Sequence, residues 1–155
     1  MPHLLPPDPA ALSSITAFQG LPPKVLAWLL QAGELRQYND GEPIVLAGAP
    51  ADRLLAVVRG GAHTLLPGGP GGRSFRLNAG DVGGLLPYSR LQAFPAQGVA
   101  VDDTILYELE RTHFPMLEQV SPELVQSLVG VMNDRIRDEA RTVERDYKLL
   151  RLLPP

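Results

Sequence analysis

Residues 38–60 read Tyr-Asn-Asp-Gly-Glu-Pro-Ile-Val-Leu-Ala-Gly-Ala-Pro-Ala-Asp-Arg-Leu-Leu-Ala-Val-Val-Arg-Gly. Two short apolar runs, Pro43–Leu46 and Leu54–Arg59, are bounded by glycines at 41, 48 and 60. Apolar runs of four to eight residues between turn signals read as strands. The pattern continues outward in both directions. Leu35–Tyr38 leads into the Asn39-Asp40-Gly41 turn, and His63–Leu66 runs into Pro67–Gly72. Ser74–Leu77 reaches Asn78-Ala79-Gly80-Asp81, and Gly98–Val101 and Thr104–Leu109 are separated by Asp102-Asp103. Eight or so short strands at this spacing predict an antiparallel barrel, sandwich or roll. Pro67–Gly72 reads as a hairpin tip. It is not a phosphate loop, because no Gly-Lys-Ser/Thr follows and the next segment is a strand rather than a helix.

The flanks are helical. Ser13 or Ser14 is expected to cap a short helix carrying Ile15 and Phe18. Lys24–Ala32 follows, with Pro23 at its first position and Gly33 at its end. Ser121-Pro122-Glu123 starts a long C-terminal helix with a Ser cap, a Pro at N1 and an early acid. Along it, Val129, Ile136, Val143 and Leu150 repeat every seven residues, with Asn133, Ala140 and Tyr147 in the partner seam position as one polar interruption among apolar residues, and Met132 is expected in the same interface. That heptad pattern predicts a parallel homodimer through this helix, with packing of the stripe back on its own domain as the alternative. The expected organisation is a loose segment over 1–10, a β-rich domain over 11–120 and a dimerisation or signalling helix over 121–155.

Composition narrows the function. The 155 residues carry 14 Lys+Arg and 17 Asp+Glu, a net charge of −3 that disfavours direct nucleic-acid contact. The absence of cysteine excludes disulfides, thiolate metal sites and thiol nucleophiles. No apolar run approaches the roughly 20 residues that span a bilayer. The N-terminus lacks the pattern of a signal peptide, so a cytoplasmic location is expected. His3, His63 and His113 have no metal-ligand spacing, and Asp102-Asp103 reads as a turn feature rather than an acid/base dyad. Ser89 has no histidine near it to activate it. No enzyme, metal or cofactor is expected.

The spaced residues Tyr38-x-x-Gly41-Glu42-x-Ile44-x-x-x-Gly48-x-x-Ala51-Asp52-x-Leu54-x-x-Val57-x-x-Gly60 resemble the first half of a cyclic nucleotide-binding domain of catabolite-activator-type regulators. Leu77-x-x-Gly80-Asp81-x-x-Gly84 and Asp103-Thr104-x-Leu106-Tyr107-x-Leu109-x-x-x-x-Phe114 continue the likeness, which covers about Ile15 to Arg137. It implies a mainly β fold with flanking helices: a jelly-roll, double-stranded β-roll followed by a long C-terminal helix that often dimerises.

The resemblance also implies a ligand cassette, Phe-Gly-Glu followed by a short helix and Arg-Ser/Thr-Ala. Its Glu holds a ribose hydroxyl and its Arg pairs with the cyclic phosphate. At this spacing Gly84 stands at the acid position and Phe94 at the arginine position, so neither charge is present. The residues there, Gly83, Gly84, Leu85, Tyr88, Ser89, Arg90, Phe94 and Gln97, become candidates for binding some other small molecule. Leu85-Leu86-Pro87-Tyr88-Ser89-Arg90 resembles the cassette of sensor domains at the N-termini of bacterial histidine kinases. There the C-terminal helix runs on through turns such as Asp134-Arg135-Ile136-Arg137. The alternatives are a catabolite-activator-type transcriptional regulator whose DNA-binding domain is not in this chain, and a structural dimerisation domain whose pocket its own side chains fill.

Overall fold

The computed structural model describes residues 2–65 and 74–151, the last stretch as backbone alone from residue 139 onward. The expected hairpin tip at Pro67–Gly72 lies outside the described residues. Among the described residues seven strands form one antiparallel sheet: β1 (His3–Leu5), β2 (Glu34–Tyr38), β3 (Pro43–Val45), β4 (Arg53–Leu65), β5 (Ser74–Asn78), β6 (Val82–Gly84) and β7 (Gly98–Glu110). Two of the expected strand pairs are fused. Leu54–Arg59 and His63–Leu65 are parts of β4, and Gly98–Val101 and Thr104–Leu109 are parts of β7.

Each long strand is bent in its middle, which curls the sheet into a roll. The first half of β4 pairs with β6 and its second half with β5. The second half of β7 pairs with β2 and its first half with β3. The β4–β7 register slips between Val57, Arg59 and Gly61, as at β-bulges. Gly60 sits at that bend with φ +81, and a Cβ there would meet the Asp103 carbonyl at 2.7 Å. Opposite it, Asp102 takes φ 61 and its N–H donates to Asp40 Oδ1 at 2.7 Å. The Asp102-Asp103 pair is thus part of a strand bend.

Side chains alternate along the long strands as period two requires. Leu54, Ala56, Tyr107 and Leu109 face the helices, with Leu12, Phe18, Leu29, Leu117, Leu124 and Leu128. Leu55, Val57 and Leu106 face the interior of the roll, where they meet Ala62, Leu77 and Ala100 from the other halves.

Several local expectations are corrected. The N-terminal segment is not loose: His3, Leu4 and Leu5 pair with Gln37, Arg36 and Leu35. The first helix, α1 (Pro9–Ser13), is capped by Asp8, whose carboxylate accepts from Ala10 N at 3.0 Å. Ser13 and Ser14 are at its other end and donate to Ala10 and Ala11 carbonyls. The second helix, α2 (Pro23–Ala32), is as expected. The chain after Phe114 is two helices, α3 (Phe114–Val120) and α4 (Pro122–Arg151). Pro122 disfavours helical geometry at Ser121, which takes φ −149 and caps α4 by accepting from Leu124 N at 3.3 Å.

Gly33 ends α2 in extended geometry, so its glycine is required for space. A Cβ would lie 2.4 Å from the Tyr107 ring, whose buried hydroxyl donates to Leu29 O at 2.7 Å. Gly33→Ala must push that ring out of its slot. The expected cost is about 1–3 kcal/mol, the range for overpacking a core, read from the urea midpoint at unchanged slope.

Candidate functional site

The roll forms a half-open cavity of about 580 Å³. Its walls are the inward residues of both halves, including Val45, Leu55 and Leu77, closed at one side by Leu91, Phe94 and Ala96. Thr64 and Ser74 add hydroxyls, and Arg135 and Asp138 reach it from α4.

The cassette residues divide sharply. Gly84 and Phe94 line the cavity. Gly84 has φ +70, and a Cβ there would be 2.7 Å from the Arg53 carbonyl, so the position accepts no side chain. Gly84 therefore offers no side chain to the cavity, and the next residue, Leu85, is buried outside its lining. Leu85 is buried with Phe94 and Ala51 in a separate apolar cluster. The segment is tied down by main-chain bonds, Phe94 N to Ala49 O at 2.9 Å and Gly48 N to Phe94 O at 2.8 Å.

The remaining candidates do not line the cavity. Gly83 packs on the Leu77 side chain. Tyr88 is 65% exposed with φ 66, and its hydroxyl donates to Glu118 on α3. That bond to a carboxylate holds the Tyr88 phenol above its ordinary pKa. Ser89 Oγ accepts from Leu91 N at 3.2 Å, a local turn contact. Arg90 and Gln97 are exposed.

Sequence reading missed the cation at this site. Arg135 extends one guanidinium N–H to the Val82 carbonyl and lies 5.2 Å from the centre of the Phe75 ring. Burial lowers its pKa, with Asp81 opposing the shift. A signal was present: Leu124, Leu128 and Arg135 fall on one helical stripe, so Arg135 is a charge on a face that is otherwise buried.

Among the proposed dimer positions, Val129 and Met132 pack against the chain's own core. Ile136 is 58% exposed. Ala140, Val143, Tyr147 and Leu150 lie in the stretch whose side chains are not described. The exposed Ile136 is adjacent to the cavity-facing Arg135, so α4 presents one face to the roll and another outward.

A second, polar cleft of about 540 Å³ lies by Tyr38, Arg36, Arg53, Glu108 and His113. Its charges satisfy one another. Arg53 Nε donates to Glu108 Oε1, Tyr38 Oη donates to Glu108 Oε2 at 2.6 Å, and Arg36 Nε is 3.6 Å from Glu108. Burial and the adjacent Glu108 raise the Tyr38 pKa well above its ordinary value.

Comparison with solved structures shows the fold of cyclic nucleotide-binding domains. The chain is 25% identical to the catabolite activator protein of Thermus thermophilus, with TM-score 0.71 over 83% of this chain and 62% of that one. A cyclic nucleotide-binding domain from Methylobacillus flagellatus is 17% identical, with TM-score 0.74 over 99% of this chain and 91% of that one. The N-terminal domain of a transcriptional regulator from Streptomyces coelicolor is 22% identical, with TM-score 0.60 over 85% and 93%. The chain spans less than two thirds of the length of the Thermus protein. No protein-family model matches the sequence, and no curated protein matches it. Among the described residues no helix is long and apolar enough to cross a membrane.

Proposed function

We propose that this chain is a non-catalytic regulatory domain whose pocket has left cyclic nucleotides for another small molecule, and which passes occupancy to a dimeric C-terminal helix. The reading is supported above all by Gly84 and Phe94, which line the cavity at the positions where the resemblance calls for an acid and an arginine. Each missing charged hydrogen bond is worth about 1.5–3 kcal/mol, so together they amount to two to four powers of ten in affinity. Calorimetry should show no saturable heat with cyclic AMP or cyclic GMP up to about 1 mM, a dissociation constant equivalent to only ~4 kcal/mol. Low-micromolar binding of either would overturn the reading.

The output is α4. Its 30 residues span about 45 Å, more than a roll of this size covers, and Ile136 faces outward where the heptad places a seam. Light scattering at tens of micromolar should give twice the chain mass, and Ile136→Glu should shift it to monomer. We place such a domain at the N-terminus of a signal-transduction histidine kinase, in the cytoplasm. The second reading, a catabolite-activator-type regulator, is favoured by the Thermus comparison, in which this chain covers only 62% of the neighbour.

A further inference from the structure

Taking the roll cavity to be a ligand pocket, as proposed above, we propose that its ligand class is an amphipathic organic monoanion, an apolar body ending in one carboxylate, and that Arg135 is the receptor for that carboxylate. The walls exclude most other chemistries. Val45, Leu55, Leu77, Leu91 and Phe94 give an apolar body somewhere to be buried, and the volume is that of an ordinary small-molecule site. Among the described residues the polar side chains from the strands are two hydroxyls, Thr64 and Ser74, which is too few to partner a sugar and a base together.

The charge in the pocket is what selects an anion. Among the described residues no carboxylate lies within ion-pair distance of the Arg135 guanidinium. Its contacts are a neutral carbonyl at Val82 and the face of Phe75. Arginine stays protonated in such surroundings; this partly buried cation bonds only to neutral partners, with the Asp81 charge acting on it from beyond ion-pair distance. A carboxylate arriving there makes a charge-assisted, potentially bidentate bond with a group already largely stripped of water. Asp138, one turn further along α4, lines the same cavity.

The receptor's position links binding to output. Arg135 belongs to α4, whereas Val82 and Phe75 belong to β6 and β5. A ligand carboxylate that takes over guanidinium donors competes with the Val82 carbonyl and so changes what holds the helix to the roll. Such a ligand shifts the helix only by its difference in affinity between the two arrangements.

The test is calorimetric titration of the whole chain with straight-chain carboxylates from hexanoate to dodecanoate, below their micelle concentrations. The matching primary alcohols serve as neutral controls and cyclic AMP as a separate arm. At least one carboxylate is expected to bind, with its alcohol at least tenfold weaker. Arg135→Met should lose tenfold or more while Arg135→Lys keeps part of the affinity. Equal binding of acid and alcohol, an unchanged Arg135→Met, or no binding by any carboxylate overturns the assignment. Should Arg135→Met fail to fold, the acid-to-alcohol ratio of the unaltered chain decides alone. Tight cyclic AMP binding would instead overturn the functional reading beneath it.

Discussion

Arg53→Met should lower the stability of the domain by about 3–5 kcal/mol, the cost of leaving one member of a buried ion pair without its partner. Glu108 is 7% exposed, and Arg53 Nε donates to one of its carboxylate oxygens while Tyr38 donates to the other. The same guanidinium donates to the Ile44 carbonyl at 2.6 Å and to Asp52 at 2.9 Å. One side chain therefore links β3, β4 and β7 at the edge of the roll. Methionine keeps the apolar stem but none of these bonds. Arg36, 3.6 Å away and already bonded to Glu34 at 2.6 Å, can screen the stranded acid only in part. Urea denaturation should show the midpoint falling at unchanged slope. Adding Glu108→Gln should recover part of the loss, because the uncompensated charge is gone. A loss below about 1 kcal/mol for Arg53→Met would mean that the cluster behaves as an exposed pair, and this account of it would fail.

That network was only partly legible in the sequence. Tyr38 stood out through its spacing to Gly41, but nothing in the chain marks Glu108 as its partner seventy residues away. The roll itself was readable because glycine and short apolar runs encode bends and strands locally. The fusion of strands into β4 and β7 was not. A bulge at Gly60 and a left-handed Asp102 let a strand turn without ending, whereas turn residues in a sequence signal only a break. β1 was missed because three residues among prolines carry no periodicity and depend on β2 for their pairing.

The cassette count places the expected acid at Gly84 and the expected arginine at Phe94; in the structure Gly84 has no room for a side chain and Phe94 is buried with Leu85 and Ala51. Arg135 was hidden by helix phase: it sits among mixed charges, and only packing shows that its face of α4 turns to β5 and β6. Tyr88, Ser89 and Arg90 had the right chemistry for a binding loop, but the backbone conformation at Tyr88 directs its ring to Glu118.

Phe94 should be the most sensitive position in the cassette. Phe94→Ala is expected to cost about 3–5 kcal/mol, the range for emptying a buried aromatic site. Its ring packs with Leu85 and Ala51 while its backbone is bonded to the chain at 48–49, so the surroundings have little freedom to collapse into the space. Phe94→Arg, which writes back the residue implied by the resemblance, should cost at least as much. It replaces packing with a cation facing Leu85 and Ala51. Phe94→Leu should be mild by comparison. The informative variant combines Phe94→Arg with Leu85→Glu. Because the two side chains pack together, the second change should return about 0.5–3 kcal/mol of the first, as a coupling energy between neighbouring sites. Additive losses in the double variant would show that the two side chains do not face each other.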